Sequence, residues 1–288
     1  MKKGIAVILA VILILAGLAV AWATWRPGSG RTASYQEHTL ELPAGQYDSL
    51  TVEELTRDVQ VRPSEDGKIH ITYYTSERYR YTESTEGGQY RLRAEPEASV
   101  FGLRFDFQIN FDFNAPDHNT VIYLPADLKE AFTVTAAGGD ISMEGVNLAG
   151  PVSVKNVSGD IALSGCAAGD LSVASTSGDT ALSAVEARSI QVTAVSGDIA
   201  LTDCVSQGAL SVTGTSGDIR LDAPVAGELL AVSTSGDVLF SNPAFASLTV
   251  HTTSGDITGF VSLSRDEFYT MPVDMKSTSG DIALSFLP

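Results

Sequence analysis

The chain has 288 residues and a formal net charge of −17, long enough for one large or two ordinary domains. Residues 131–288 carry 17 acidic side chains against five basic ones, Lys155, Arg188, Arg220, Arg265 and Lys276. That balance excludes nucleic acid, which requires basic patches, and argues against docking on anionic lipid headgroups. Cations, neutral glycans and basic protein patches remain, beside a purely solubilising role for the charge.

The first element is an apolar run. Lys2 and Lys3 precede an uncharged stretch from Ile5 to Trp22, long enough to cross a bilayer as a helix. Trp22 and Trp25 stand at its outer edge, where indole rings favour the interface. The run predicts a transmembrane anchor over residues 1–24, with the N-terminus cytoplasmic and the rest extracytoplasmic. Ala21-Trp22-Ala23 offers a cleavage site, but the run exceeds a signal-peptide core, so an uncleaved anchor is expected. Leu18 stands where a lipobox needs cysteine. Residues 25–35 read as a flexible linker.

Residues 36–130 form a β-rich region without an obvious repeat. Strands are expected at Thr39–Leu42, Leu50–Val52, Val59–Val61, Ile69–Thr75, Tyr79–Thr82, Tyr90–Arg93 and Val121–Leu124, with a hairpin at Glu86-Gly87-Gly88. Leu50 and Val52 precede Asp58-Val59-Gln60-Val61 at offsets that recur further on, which suggests a degenerate coil. From Phe101 to Phe113 every second residue is apolar; a core strand or hairpin is expected, rather than an exposed aromatic ribbon.

Residues 131–288 repeat one phrase. A turn ending in Gly-Asp recurs at Asp140, Asp160, Asp179, Asp198, Asp218, Asp237, Asp256 and Asp281, at intervals of 19 or 20 residues until the last, which is 25. Apolar residues stand eight and six places before most of these aspartates and one and three places after. Period-two alternation around a glycine turn gives strands with one buried face. Units this short bury nothing alone, so they must stack. The fold class is therefore all-β, a parallel β-solenoid (β-helix) of 19–20-residue coils. Leu229-Leu230-Ala231-Val232 fits only with Ala231 inward, so a slip or bulge is expected there.

The aspartate column is the candidate site. Carboxylates about 4.8 Å apart could gather Ca²⁺, which takes six to eight oxygen ligands. The preferred reading is structural, with each carboxylate capping a turn amide, because one charge-assisted hydrogen bond outweighs the mutual repulsion. No cofactor is expected. Outward positions seven and five before aspartate are small and polar (Thr133 and Thr135, Ser172 and Ala174, Gln191 and Thr193) and form a candidate binding face. Three places before it runs a β-branched column from Val157 to Thr278.

The four histidines are scattered, and neither a phosphate loop nor a nucleophile elbow is present. Cys166 and Cys204 each lie six residues after an aspartate, two rungs apart, about 9.6 Å by the sheet spacing; a disulfide needs about 4.4–6.8 Å. Both are expected as free, buried thiols. The insertion Ser264–Pro272 is expected to cap the last coils with Phe268 and Met271.

The apolar N-terminal run, Asp58-Val59-Gln60-Val61-Arg62-Pro63-Ser64 and the serial Ser-Gly-Asp-Ile turns together resemble the bacterial "putative adhesin" β-strand-repeat family, domain of unknown function 4097. The resemblance covers about residues 36–288 and implies the repeat fold and a cell-envelope setting; it supplies no catalytic residues. The first coil departs from the pattern, with Gly138 in place of serine. The reading is a non-catalytic, membrane-anchored scaffold or adhesin-like module whose partner is an envelope protein or glycan. Second comes an envelope-stress accessory protein acting through a membrane partner, and third a glycan-active β-helix enzyme.

Overall fold

The computed structural model describes residues 34–77, 79–96 and 118–287. The apolar run Ile5–Trp22 and the Phe101–Phe113 alternation lie outside these residues. Among the described residues, 24 strands and one short helix occur, and no helix is long and apolar enough to cross a membrane. The strands form two sheets of twelve.

Each repeat adds one rung to each sheet, split in one coil into Val205–Ser206 and Ala209–Ser216, and the turn ending in Gly-Asp carries the chain between the sheets. In sheet A, Ile141–Glu144, Ile161–Ser164, Thr180–Ser183 and Ile199–Thr202 pair in parallel, and the series continues to Ile282–Phe286. In sheet B, Ala131–Ala136, Val152–Ser158, Ala167–Ser177 and Glu186–Ser196 do the same, and the series ends at Val273–Ser279. The arrangement is solenoid-like. Inward residues alternate with outward ones, so that Ile161, Leu163, Leu171 and Val173 are buried while Ala162 and Ser164 are exposed. All join one apolar cluster running the length of the stack. The stacked side chains exclude water together, which a single 19-residue coil cannot achieve.

Two turns per coil make this geometry possible. From Gly159 to Gly280 the turn glycines have φ between +103° and +156°. A Cβ on any of these seven would fall 2.0–2.6 Å from the carbonyl oxygen of the glycine one coil earlier. Glycine is required there both for its torsion and for the close approach of backbones. Five residues after each of the first six aspartates the chain turns again, at Gly145, Gly165, Ala184, Asp203, Ala223 and Asn242, with φ between +48° and +65°.

Coils do not stack in chain order at the N-terminal end. Ser49–Glu54 and Val59–Pro63 pair with Ala131–Ala136 and Ile141–Glu144 in the repeat register, Leu50 beside Phe132 and Val59 beside Ile141. On the other side of this coil lie Gln89–Pro96 and Thr120–Leu124, also parallel. The coil at 49–63 is thus inserted between two later ones. Antiparallel strands then close the end: Ile69–Thr75 and Gln36–Leu42 in sheet A, Tyr79–Glu86 in sheet B. Tyr79–Glu86 and Gln89–Pro96 form the expected hairpin, with Gly87 and Gly88 both at positive φ, as a two-residue hairpin turn requires.

The slip expected at residues 229–232 does not occur. Leu229 pairs with Leu210 and Leu248, and Ala231 with Val212 and Val250, in unbroken register. Ala231 is inward and fully buried. In sheet A the same coil carries the large, buried Phe240 as an inward residue, which offsets the small volume of Ala231. The compensation extends to the next coil, where a Cβ on Gly259 would fall 2.3 Å from the Phe240 ring.

The insertion near the C-terminus also differs from expectation. Arg265–Thr270 is a helix with a Ser264–Glu267 capping box, which satisfies its first amides. Phe268 is buried against Phe245 and Phe286, ring centroids 6.0 and 5.4 Å away. Met271, half-buried, borders a groove beside Pro243 and Phe245. The helix therefore fills the corner of the last coil. It does not cover the end of the stack, where Val273–Ser279 and Ile282–Phe286 remain the outermost strands.

Candidate functional site

The eight repeat aspartates form one continuous column. The Oδ1 of Asp140 accepts the backbone N–H of Asp160, Asp160 that of Asp179, and Asp179 that of Asp198, each at 2.8 Å. The series continues through Asp218, Asp237 and Asp256 to the N–H of Asp281 at the same distance. The residue after each aspartate returns a bond, as Ile161 N–H does to the Asp179 carbonyl at 2.9 Å. These carboxylates therefore each accept a turn amide, and the amide belongs to the next coil, so they bridge coils. An anionic acceptor strengthens each bond, although the exposed setting weakens it.

The column has a ninth member. Asp58 Oδ1 accepts the N–H of Asp140 at 3.0 Å. Its Leu50/Val52 offsets signal the coil in the sequence, but the separation of 82 positions conceals the pairing. Among the described residues no group of three or more His, Cys, Asp or Glu side chains is arranged to hold a metal ion.

The outer face of sheet B presents a flat, regular surface. One column runs Thr133, Ser153, Ser172, Gln191, Ser211, Leu230, Thr249 and Asp274, neighbours in strict register. A second, two residues along each strand, runs Thr135, Lys155, Ala174, Thr193, Thr213, Val232, His251 and Lys276. Near one edge an open groove of about 240 Å³ is bordered by Thr133, Ser153, Ser172, Asp170, Ser189 and Gln191. Asp170 is held there by Arg188, whose Nε donates to Oδ1 at 2.9 Å, and by the Ser189 hydroxyl at 2.7 Å. These hydrogen bonds keep its carboxyl well below the usual range. The groove thus offers a fixed anion, an amide and several hydroxyls on a rigid platform.

Local patterns in the sequence did not reveal a second polar cluster at the N-terminal end. Glu54, 3% exposed, accepts hydrogen bonds from the hydroxyls of Tyr81 at 2.7 Å and Thr120 at 2.6 Å, and from Leu55 N–H at 2.9 Å. Tyr79 donates to it as well. Burial, reinforced by the Glu54 charge, pushes the Tyr79 phenol up to about 12 and Tyr81 higher still. Arg57 lies over the Tyr79 ring, 4.2 Å from its centroid. The carboxylate is saturated with donors from within the chain, which makes it a tie between strands and leaves little for a substrate.

The two cysteines are free and buried. Burial raises the thiol of Cys166 and pushes that of Cys204 up to about 11, so both are poor nucleophiles.

Among solved structures, the chain is similar to a "putative adhesin" from Bacteroides fragilis NCTC 9343, with TM-score 0.47 and 15% identity over 89% of this chain and 100% of that one. It is also similar to a "putative cell adhesion protein" from Clostridium sporogenes ATCC 15579, with TM-score 0.33, 10% identity and coverage of 88% and 100%. A third, a "putative lipid binding protein" from Parabacteroides distasonis ATCC 8503, has TM-score 0.29, 14% identity and coverage of 88% and 97%. No curated protein matches the chain. The Toastrack DUF4097 family model matches residues 47–287, and the chain belongs to that family.

Proposed function

We propose that the protein is a non-catalytic scaffold of the bacterial cell envelope, anchored by its N-terminal apolar run, with the outer face of sheet B as an adhesin-like binding surface. The observation that carries this reading is the pair of outward columns, mostly small and polar, held in register along the stack and leading into the Asp170 groove. A polymer with a short repeat, a neutral glycan above all, would find hydroxyl, amide and carboxylate groups at regular steps of about 4.8 Å. The aspartate column is assigned to holding coils together, since each carboxylate from Asp58 to Asp256 already serves an amide of the next coil. Ca²⁺ is not needed for that role.

The test is capture of envelope glycans and proteins by the full chain, with and without Ca²⁺. It is repeated with Ser172→Arg/Thr193→Arg, which places bulk and charge on the face without touching the core. Capture that this double variant abolishes at unchanged melting temperature supports the reading. Capture indifferent to it, or turnover of any captured polysaccharide, would sink it. For the anchor, mass spectrometry of the membrane fraction should retain Met1–Trp25.

A further inference from the structure

The C-terminal coil differs from every other coil in leaving its inner side chains uncovered. Ile257 is fully buried, whereas Ile282, one coil later in the same column, is 44% exposed. Val273, Met275, Leu284 and Phe286 are only partly buried. Among the described residues no strand pairs beyond Val273–Ser279 or Ile282–Phe286, so one side of each presents its backbone groups unpaired. Natural edge strands are usually blunted by proline, bulges or several like charges. Here only Asp274 and Lys276 carry charge, and they flank Met275 symmetrically.

That symmetry identifies the occupant. We propose that a second copy of this chain docks on the last coil, tail to tail, about a two-fold axis through Met275 and Leu284. When Val273–Ser279 pairs antiparallel with itself about Met275, Asp274 of each copy faces Lys276 of the other. Met275 then meets its own equivalent, and Val273 meets Ser277. Asp274 keeps an oxygen free for this, since His251 engages only Oδ2, at 2.9 Å. The same axis suits the other sheet: about Leu284, Ile282 faces Phe286 and Leu284 faces itself. One axis serves both strands by register: the position four before an aspartate lies against the position one after it, as a Cβ on Gly214 would lie 3.5 Å from the Ile219 side chain, so one inward step further along each strand Met275 stands opposite Leu284. The interface is isologous and closes at two copies. Asp274 and Lys276 also end the two outward columns of sheet B, whereas the Asp170 groove lies several coils away on that face.

The test uses the full chain in detergent micelles, followed by sedimentation. A dimer is expected. Asp274→Lys should weaken it at least about tenfold, by replacing two cross-strand attractions with repulsions, and Asp274→Lys/Lys276→Asp should restore it. Met275→Cys and Leu284→Cys should each give an interchain disulfide under mild oxidation. Facing residues in antiparallel pairs have Cα atoms about 4.5–5.5 Å apart, within disulfide reach. Ser277→Cys should not, because the two copies of that position lie four residues apart in this register, roughly 13 Å. A monomer at all concentrations, open-ended filaments, a dimer insensitive to the charge exchange, or equal cross-linking at 277 and 275 would each overturn the proposal.

Discussion

The two ends of the stack solve the same problem in opposite ways. At the N-terminal end the parallel coils give way to antiparallel strands, and a buried carboxylate, Glu54, gathers three hydroxyls and an amide from four places in the chain. At the C-terminal end the parallel coils simply stop. One apolar ring, Phe268, fills the corner, and among the described residues no strand pairs beyond the two edge strands. A solenoid propagates its register to every coil that has a neighbour, but it cannot supply a terminator. One end is closed by directional polar bonds and the other is only filled at its corner by apolar contact, so lesions of the two kinds should separate them.

The largest effect is expected from Glu54→Ala. It strands the Tyr79, Tyr81 and Thr120 hydroxyls and should cost about 4 kcal/mol. Amide hydrogen exchange should accelerate in Ser49–Glu54, Gln89–Pro96 and Thr120–Leu124 while the C-terminal coils keep their protection. Glu54→Gln retains acceptors and should cost much less. The same end should also fail in alkali. The native state holds the Tyr79 proton more tightly than the unfolded chain does, so stability is fully present below pH 10 and is lost as pH rises toward 12. Tyr81 and Tyr90 are raised in the same direction by burial. The buried thiols contribute a similar loss from about pH 9 upward. Cys166→Ala/Cys204→Ala removes that share, and alkaline exchange should then begin at the N-terminal end.

Phe268→Ala should come next, at about 3 kcal/mol for a buried ring lost from the corner. Its exchange signature should be the converse: Ile257–Val261, Val273–Ser279 and Ile282–Phe286 lose protection and the Glu54 strands do not. Equal loosening of both ends by either variant would mean that the stack unfolds as one unit, and the contrast between the ends would fail.

The middle of the molecule could be read from its sequence and the ends largely could not. In the repeats, inward residues, the turn glycine and the aspartate column occupy fixed offsets because each coil meets a copy of itself, so local pattern and tertiary contact coincide. Where neighbours differ, the pattern misleads. Ala231 looked like a slipped register because its volume is judged without Phe240 across the core. Asp58 belongs to the column but lies 82 residues from its partner. Glu54 finds its hydroxyl partners 25, 27 and 66 residues away, with no motif to announce them. The insertion Ser264–Pro272 stands out by its length, yet the helix within it and its place against Phe245 and Phe286 depend on contacts that the repeat does not encode.

A smaller effect isolates what position in the stack contributes. Asp198 and Asp281 occupy equivalent turns, but Asp198 accepts the N–H of Asp218 at 2.8 Å, and Asp281 has no further coil to serve among the described residues. Asp198→Ala should cost about 1 kcal/mol, an exposed charge-assisted bond, and Asp198→Asn almost nothing, since the amide oxygen still accepts. Asp281→Ala should leave the melting temperature unchanged in the monomer. A cost at Asp281 equal to that at Asp198 would show that the carboxylates act within their own turns. A melting temperature that climbs steeply with millimolar Ca²⁺, and that Asp198→Ala abolishes, would reveal a cation site in the column.

The smallest effect should run the other way. The second turn of each coil holds Gly145 and Gly165 at positive φ, then Ala184 and Ala223 in the same conformation, at +50° and +48°. A Cβ at Gly145 or Gly165 would meet nothing within 4 Å, so the alanines pay no steric cost to neighbours, only the left-handed torsion, about 1–2 kcal/mol. Glycine escapes that strain but loses more chain entropy on folding, about 0.5–1 kcal/mol. Torsion wins by a narrow margin. Ala184→Gly should therefore stabilise by roughly 0.5 kcal/mol, a rise of 1–2 °C for a chain of this size, and Gly165→Ala should cost about the same. Asp203 and Asn242 reach the same torsion with short polar side chains that tolerate it, so Asp203→Gly should gain less than Ala184→Gly. All three positions are flanked by coils, and their effects should be alike whether the N-terminal or the C-terminal end is loosened first. If Ala184→Gly destabilises, the second turn is held by the methyl group's packing against the coil above or below, and the turn column then contributes to stacking as the aspartates do.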